Sequence, residues 1–159
     1  MGSRSKIDLA YIAGFLDGDG SLMLQVKKRK DGKLKKRFMC TICFYQDSRH
    51  AEPLKWIRKI LGIGYISRRN DGITELRING FKQTHDIIKV LRPFIKFKKK
   101  QATALHDASN LLSLKKYNRL TDAELRKIAA YILTIQKENY ATKTKKTKQD
   151  LVSILGLTP

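Results

Sequence analysis

Cysteine is scarce in this 159-residue chain, which has only Cys40 and Cys43. Both lie in a strand-like stretch, where residues three apart point to opposite faces of a sheet, so we expect no disulfide between them. Because no second pair of cysteines or histidines lies at a suitable spacing, the sequence also argues against a zinc site. Two such thiols are typical of small apolar residues in a reducing compartment.

Long apolar segments are also missing. No stretch approaches the ~20 apolar residues that a membrane-spanning helix needs, and no helix opposes a basic face to an aromatic insertion face. The N-terminus lacks the apolar core and cleavage site of a secretory signal. We therefore expect no membrane partner and an intracellular protein that is not secreted.

Acidic residues are few, with 14 Asp and Glu against 34 Lys and Arg and a net charge of +20. An excess this large favours a polyanionic partner, and nucleic acid fits better than a membrane surface. A merely soluble, lysine-rich surface is the alternative. The length suits one domain over residues 1–159, with a core at about 7–110 and C-terminal helices at about 115–159.

Hydrophobic periodicity predicts an α+β fold with an αββαββα core. The spacing of apolar residues changes from helical to alternating at Ser21, and turn signals at Asp31-Gly32 and Asn70-Asp71-Gly72 each separate two strands. This order indicates a curved antiparallel sheet covered by helices on one face, with further helices at the C-terminus. The predicted helices are 8–17, 51–61, 81–91, 101–114, 121–139 and 151–155.

Capping residues set several predicted helix ends. Asp8 is the expected N-cap of the first helix, which we expect the glycines to end near Asp17. Thr121 and Glu124 have the spacing of a capping box, and Asp150 is the expected cap of the last helix.

The uncovered face of the sheet collects basic residues. When Leu22, Leu24 and Val26 face the helices, the alternate positions face solvent and carry mainly Lys, Arg and Gln. A β-ribbon fits the DNA major groove, where Arg and Lys contact guanine and Gln contacts adenine. A generic solvated face is the alternative. The predicted DNA-binding residues are Met23, Gln25, Lys27, Arg29, Lys33, Lys35, Arg37, Met39, Thr41, Tyr45, Tyr65, Ser67, Arg69, Glu75 and Arg77.

The first predicted helix carries a stripe of small residues. In the segment LAYIAGFLDGDG, Ala10, Gly14 and Gly18 recur every four residues. Such a stripe allows a second helix to approach closely, and the simplest partner is the same helix of a second copy. Packing of Gly14 within one chain is the alternative.

The same segment ends in two acids, Asp17 and Asp19. Two-fold symmetry would bring these carboxylates of both copies together at the negative ends of two helix dipoles, where divalent cations would relieve the repulsion. A plain turn remains open as the alternative. A calcium-binding EF-hand loop does not fit, because Leu22 and Lys28 stand where its glycine and glutamate belong.

The stretch LAYIAGFLDGDGS closely resembles the signature of the LAGLIDADG homing endonucleases. The segments GIGYI and LRPFIKFKKKQA and the order of elements resemble the same family, over roughly residues 7–110. Only one copy of the signature is present, as in the homodimeric members of organellar and algal ribosomal-RNA introns. The resemblance therefore implies a homodimer and, for an intron-encoded protein, a chloroplast or mitochondrial location.

The resemblance also implies an active site. It assigns the metal-binding acid to Asp19 with the Gly18 carbonyl as an accessory ligand, the solvent-positioning glutamine to Gln46, and the basic residue beside the scissile phosphate to Lys98. The implied cofactor is Mg²⁺, with Mn²⁺ as an alternative and Ca²⁺ expected to bind without supporting cleavage. The implied dimer interface comprises Ala10, Ala13, Gly14, Asp17 and Gly18.

The implied reaction is hydrolysis of both strands of a long, pseudo-palindromic double-stranded DNA site, with no small-molecule substrate. A second basic residue of the pocket falls on Arg49 or His50. Asp17 is implied to stabilise the helix end rather than to bind metal. The alternative function is a non-cleaving nucleic-acid-binding module, such as an intron-splicing maturase.

Overall fold

Two β-hairpins pair through their second strands to form one antiparallel sheet. The computed structural model describes residues 4–31, 35–139 and 143–159. In these ranges the elements are α1 (Lys6–Asp19), β1 (Gly20–Lys28), β2 (Lys36–Asp47), α2 (Glu52–Leu61), β3 (Tyr65–Arg68), β4 (Ile73–Asn79), α3 (Phe81–Leu91), α4 (Lys99–Leu114), α5 (Asp122–Glu138) and α6 (Lys148–Ile154). The strand order is β1-β2-β4-β3, so the predicted α+β class and αββαββα order are confirmed.

One face of the sheet is covered by helices, as the alternating pattern predicts. The first hairpin places Leu22 opposite Ile42 and Leu24 opposite Cys40, and all four side chains are buried in the core. Helices α1, α3, α4 and α5 contact these strands. Each fully buried large apolar side chain contributes about 1.5–3 kcal/mol relative to exposure, so this layer fixes which face remains open.

Two predicted helix caps are wrong. Helix α1 is capped by Ser5, whose hydroxyl accepts a hydrogen bond from the Ile7 N–H, and it continues to Asp19 before Gly20 ends it. Asp8 therefore lies in the first turn. Helix α6 is capped by Thr147 in a capping box in which Asp150 is the third helical residue. The reciprocal bonds of that box satisfy two donors at once.

The other predicted boundaries agree closely with the structure. Helix α2 ends at Gly62, which has a φ of 71°, and the second hairpin turns at Gly72, with a φ of 81°; both conformations favour glycine. The capping box of Thr121 and Glu124 begins α5 as predicted. The Gly32 half of the first turn signal and Lys33 lie outside the described residues.

Two residues of β2 that the alternation directs to the open face are buried. Thr41 donates a hydrogen bond to Asn79 Oδ1 at 2.8 Å, and the Cys43 thiol donates to Glu75 at 3.7 Å. Both lie in β2, an interior strand whose neighbours on each side cover them. Cys40 and Cys43 are free thiols, as predicted. Burial raises their pKa values to about 12 and about 11, respectively.

None of the helices in the described ranges is both long and apolar enough to cross a membrane.

Candidate active site and nucleic-acid interface

The carboxylate of Asp17 holds a turn that is far away in sequence. It accepts hydrogen bonds from three successive backbone N–H groups: Oδ2 from Lys96 at 2.6 Å and Phe97 at 3.2 Å, and Oδ1 from Lys98 at 3.0 Å. The Asp17 residue is only 7% exposed. A charged acceptor with three donors is a strong arrangement, so Asp17 fixes the backbone that leads into α4.

That turn delivers Lys98 to the end of α1. The Lys98 Nζ donates a hydrogen bond to the backbone carbonyl of Asp17. Partial burial lowers the pKa of Lys98, while the nearby carboxylates of Asp17 and Asp19 oppose this shift. The Lys98 ammonium group therefore lies within electrostatic reach of both acids. The Asp17 carboxylate also binds the backbone of the segment that carries Lys98.

Asp19 differs from Asp17 in every respect that matters for binding. It is the exposed last residue of α1, and its carboxylate accepts no hydrogen bond from the described residues. Carboxylate oxygens, together with the Gly18 carbonyl, are hard ligands that suit Mg²⁺. In the described ranges no three His, Cys, Asp or Glu side chains cluster as a metal site.

Gln46 lies beside the junction of α1 and β1. Because Gly20 pairs with Phe44, Gln46 stands two residues further along the neighbouring strand. Its Oε1 accepts a hydrogen bond from the Asp47 N–H at 2.9 Å, which leaves the amide Nε2 as a donor. The structure thus places Gln46 at the same end of the sheet as Gly18 and Asp19.

Arg49 is tied to its neighbour Asp47. Its Nε and Nη2 donate to the two carboxylate oxygens at 3.0 and 2.8 Å, and these bonds hold the pKa of Asp47 well below its usual range. His50 is exposed and donates no hydrogen bond within the described residues. Of the two candidates for a second basic residue, Arg49 is thus the one already paired. The D-x-R spacing was an available signal for this pair.

The small-residue stripe of α1 faces outward, but two residues of the predicted dimer interface, Ala13 and Asp17, do not. Ala10, Gly14 and Gly18 are exposed, and a Cβ built at either glycine meets nothing within 4 Å. Packing within one chain therefore does not explain Gly14. By contrast, Ala13 is 0% exposed and Asp17 is buried. Helical periodicity turns those two positions toward the protomer's own core, so they are not available to a partner.

Large apolar side chains extend this exposed stripe. Ile7 is 81% exposed and Tyr11 66% exposed, and they precede Gly14 and Gly18 at helical spacing. Tyr11 packs edge-on against Trp56 of α2, with ring centroids 5.7 Å apart. Phe97, 87% exposed, lies in the turn held by Asp17. The sequence patterns that predict the site do not include these residues, although Ile7 and Tyr11 stand at helical spacing from the glycines.

The open face of the sheet carries most of the predicted DNA-binding residues. Lys27 stands opposite Arg37, and Gln25 opposite Met39, so this face of the hairpin carries a cross-strand pair of basic residues beside a Gln–Met pair. Thr41 and Glu75 are buried and do not belong to the accessible set. The accessible or partly accessible positions are Met23, Gln25, Lys27, Arg29, Lys35, Arg37, Met39, Tyr45, Tyr65, Ser67, Arg69 and Arg77.

Hydrogen bonds tie several of these side chains to the sheet. Tyr45 and Ser21 share a hydrogen bond of 2.8 Å between their hydroxyls, and the Tyr65 hydroxyl accepts one from Asn79 Nδ2 at 3.1 Å. Aromatic groups anchored in this way are ordered without a ligand. A basic sheet surface with some anchored side chains can bind along a polyanion and also present contacts of defined geometry to it.

Sequence comparisons give a family and relatives. A family model described as LAGLIDADG endonuclease matches residues 12–106. The chain is 31% identical over 99 residues to DNA endonuclease I-CvuI of Chlorella vulgaris and 33% identical over 98 residues to DNA endonuclease I-CreI of Chlamydomonas reinhardtii. Each alignment covers 62% of this chain, and it spans 62% of the first relative's length and 60% of the second's.

Solved structures share the fold over nearly the whole chain. A crystal structure of homing endonuclease I-CvuI with the I-CreI target, in the presence of 2 mM Mg and with the DNA not cleaved, has a TM-score of 0.84 at 24% identity and covers 97% of this chain and 98% of that chain. The archaeal intron-encoded endonuclease I-Vdi141I, complexed with DNA, has a TM-score of 0.80 at 22% identity, covering 94% and 95%. These likenesses establish the fold.

Proposed function

The chain belongs to the LAGLIDADG endonuclease family, and from this premise we propose that it is a site-specific homing endonuclease. As a homodimer, it hydrolyses both strands of a long, pseudo-palindromic DNA site. The observation that carries the proposal is the arrangement at the end of α1. There an exposed carboxylate, Asp19, lies within electrostatic reach of Lys98, whose backbone is fixed by Asp17.

The exposed face of α1 supports the homodimer. Ile7, Tyr11 and Phe97 expose large apolar groups beside the stripe of Ala10, Gly14 and Gly18. A second copy of the helix against this face removes that apolar surface from water, and the glycines allow close contact. The same contact places Asp19 of each copy near the two-fold axis.

Mg²⁺ is the proposed cofactor, held by Asp19 and the Gly18 carbonyl of both copies. The donor set fits, because it consists of hard oxygens. A divalent cation, when bound, supplies charge neutralisation at the phosphate and activation of water. The structures of I-CvuI with DNA were obtained with Mg and with Ca, which supports divalent ions in general.

The protein groups have separate proposed roles. Gln46 orients solvent through its Nε2, because its Oε1 is already engaged by the Asp47 N–H. Lys98 directs its ammonium group at the scissile phosphate and stabilises the negative charge that develops there. Asp17 is a positioning residue, which acts through the backbone of Lys98 and touches no substrate.

The basic open face of the sheet is the proposed DNA surface. Its Lys and Arg side chains neutralise phosphates, and its Gln, Tyr and remaining Arg side chains contact base edges in the major groove. Both relatives reported above come from green algae, which is consistent with an intron-encoded, organellar protein.

The test is cleavage of a plasmid library that carries candidate intron-insertion sites, in Mg²⁺ and separately in Ca²⁺. We expect double-strand breaks at one sequence with Mg²⁺ and binding without breaks with Ca²⁺. Specific binding without cleavage in either ion would contradict the nuclease and favour the maturase-like alternative. Asp19→Asn protein is the matched control for contaminating nucleases.

A further inference from the structure

Arg77 occupies the middle of the open face rather than its rim. It belongs to β4, an interior strand, and lies opposite Cys43 on one side and Tyr65 on the other. Its side chain is 30% exposed. Lys27 and Arg37, by comparison, are exposed and lie opposite each other toward the far end of the first hairpin. The Arg77 side chain is thus partly exposed, and its backbone lies in the interior of the sheet.

Glu75 fixes one edge of the Arg77 guanidinium. The Arg77 Nε donates to Glu75 Oε1 at 2.7 Å, while the Cys43 thiol donates to Glu75 Oε2. Glu75 is only 7% exposed, and both of its oxygens are engaged. The carboxylate is therefore a buried support for Arg77 and is itself withdrawn from the surface.

This pairing leaves the outer edge of the guanidinium available. In the described part of the chain, Arg77 Nη1 and Nη2 donate no hydrogen bond. The other paired arginines near this surface differ. Arg49 uses Nε and Nη2 together on Asp47, and Arg69 uses Nη2 on Asp71. Arg29 places Nε 3.4 Å from the carboxylate of Asp31, but that carboxylate is exposed. Arg77 is distinguished by a buried partner, Glu75, which anchors Nε.

Two parallel donors on a fixed plane match one base edge in particular. In the major groove, guanine presents two acceptors, O6 and N7, whereas adenine pairs an N7 acceptor with an N6 donor that opposes an arginine. Phosphate contacts need no such fixed plane and concentrate where the DNA backbone passes the rim of the binding surface.

We propose that Arg77 is a specificity-determining residue that contacts one guanine in each half of the DNA site, and that Glu75 is the positioning residue that orients it. The proposal rests on the proposed use of this sheet face for DNA binding. It adds a base identity, and the residue pair that selects it, to that general role.

The test is selection of bound sequences from a randomised duplex DNA pool in Ca²⁺, so that cleavage plays no part. Wild-type protein is compared with Arg77→Gln, Arg77→Lys, Glu75→Gln and, as a charge-matched control on the helix-covered side, Arg58→Gln. We expect the wild type to prefer guanine at one position of each half-site by about 5- to 100-fold. Arg77→Gln abolishes that preference and keeps the others.

The remaining variants separate positioning from charge. Arg77→Lys keeps the charge but lacks the planar fork, so we expect it to lose most of the guanine preference. Glu75→Gln should lower the preference at that same position, while Arg58→Gln leaves all positions unchanged. Weaker binding by Arg77→Gln with every preference retained would identify a phosphate contact and overturn the proposal. A wild type that selects no sequence would instead reject site-specific DNA binding itself.

Discussion

The end of α1 and the open face of the sheet hold their charged groups in opposite ways. At the end of α1, Asp17 is buried and bound by three backbone N–H groups, and Lys98 is half-buried against it. On the open face, Lys27 and Arg37 are exposed, and their side chains make no hydrogen bond or ion pair within the described residues. A hydrogen-bonded, partly desolvated group of charges suits chemistry, where placement governs rate, whereas unpaired surface cations suit a long polyanion.

The largest expected effect comes from removing the one acid that the α1 region leaves exposed. Asp19→Asn should lower the rate of DNA cleavage by about 1000-fold, because several kcal/mol of transition-state stabilisation are lost with the cation. DNA binding in Ca²⁺ should persist, measured by gel shift, because the sheet surface is untouched. Cleavage at the wild-type rate would remove Asp19 from the mechanism.

Asp17→Asn tests the buried side of the site at the end of α1. The asparagine amide keeps one acceptor oxygen, but its NH2 group faces a backbone N–H that needs an acceptor. We therefore expect a loss of about 2–4 kcal/mol in the free energy of unfolding, measured in urea. Under conditions where the variant is folded, the cleavage rate should fall about 10- to 100-fold through displacement of Lys98, with DNA binding unchanged.

Asp8→Asn is the matched control for that measurement. Asp8 lies in the first turn of the same helix, where its removal costs less than about 1 kcal/mol. An Asp17→Asn protein that is as stable and as active as this control would contradict the positioning role of Asp17.

Gly14→Leu tests whether the α1 face joins two copies. The new side chain meets nothing within its own protomer, and leucine favours helix over glycine by about 0.8 kcal/mol, so the fold should survive. Sedimentation should show a monomer, and double-strand cleavage should disappear. Ala130→Leu adds similar bulk to an exposed position of α5 and should leave the dimer intact. A folded Gly14→Leu dimer would refute this interface.

The smallest expected effects come from substitutions on the open face of the sheet. Lys27→Gln and Arg37→Gln should each reduce the slope of log affinity against log salt by about 1, with little change in sequence preference. Lys59→Gln, on α2 of the helix-covered side, should leave the slope unchanged. Equal slopes for all three variants would place the DNA elsewhere on the molecule.

Local sequence patterns predicted the fold well, because strand alternation and turn residues act between neighbours in the sequence. The alternation of Leu22, Leu24 and Val26 identified the covered face, and turn glycines located the hairpins. The same local logic misplaced the end of α1, because a glycine lowers helix propensity without breaking a helix whose other face is packed. It also assigned Thr41 and Glu75 to the accessible surface, although both are buried. Alternation gives the face on which a side chain lies, but it does not show whether side chains of the adjacent strands cover it.

The site was harder to predict because its contacts are distant in sequence. Asp17 and Lys98 lie 81 residues apart, and no local pattern links them. From the residues alone, Asp17 and Asp19 were equivalent acids, and only family resemblance separated them. The structure gives the physical difference, which is three backbone donors for one carboxylate and none for the other. The Glu75–Arg77 pair was likewise hidden inside a list of surface residues.

The most direct test of the shared site is strand cleavage by mixed dimers. Wild-type and Asp19→Asn chains are combined in varied proportions at constant total protein, and nicked and linearised plasmid are both measured at each proportion. If each site needs Asp19 from both copies, mixed dimers cut neither strand, so the total rate of strand cleavage falls as the square of the wild-type fraction and nicked plasmid does not accumulate. If each subunit cuts one strand with its own Asp19, mixed dimers nick the plasmid, and nicked product that is most abundant at equal proportions would contradict the account.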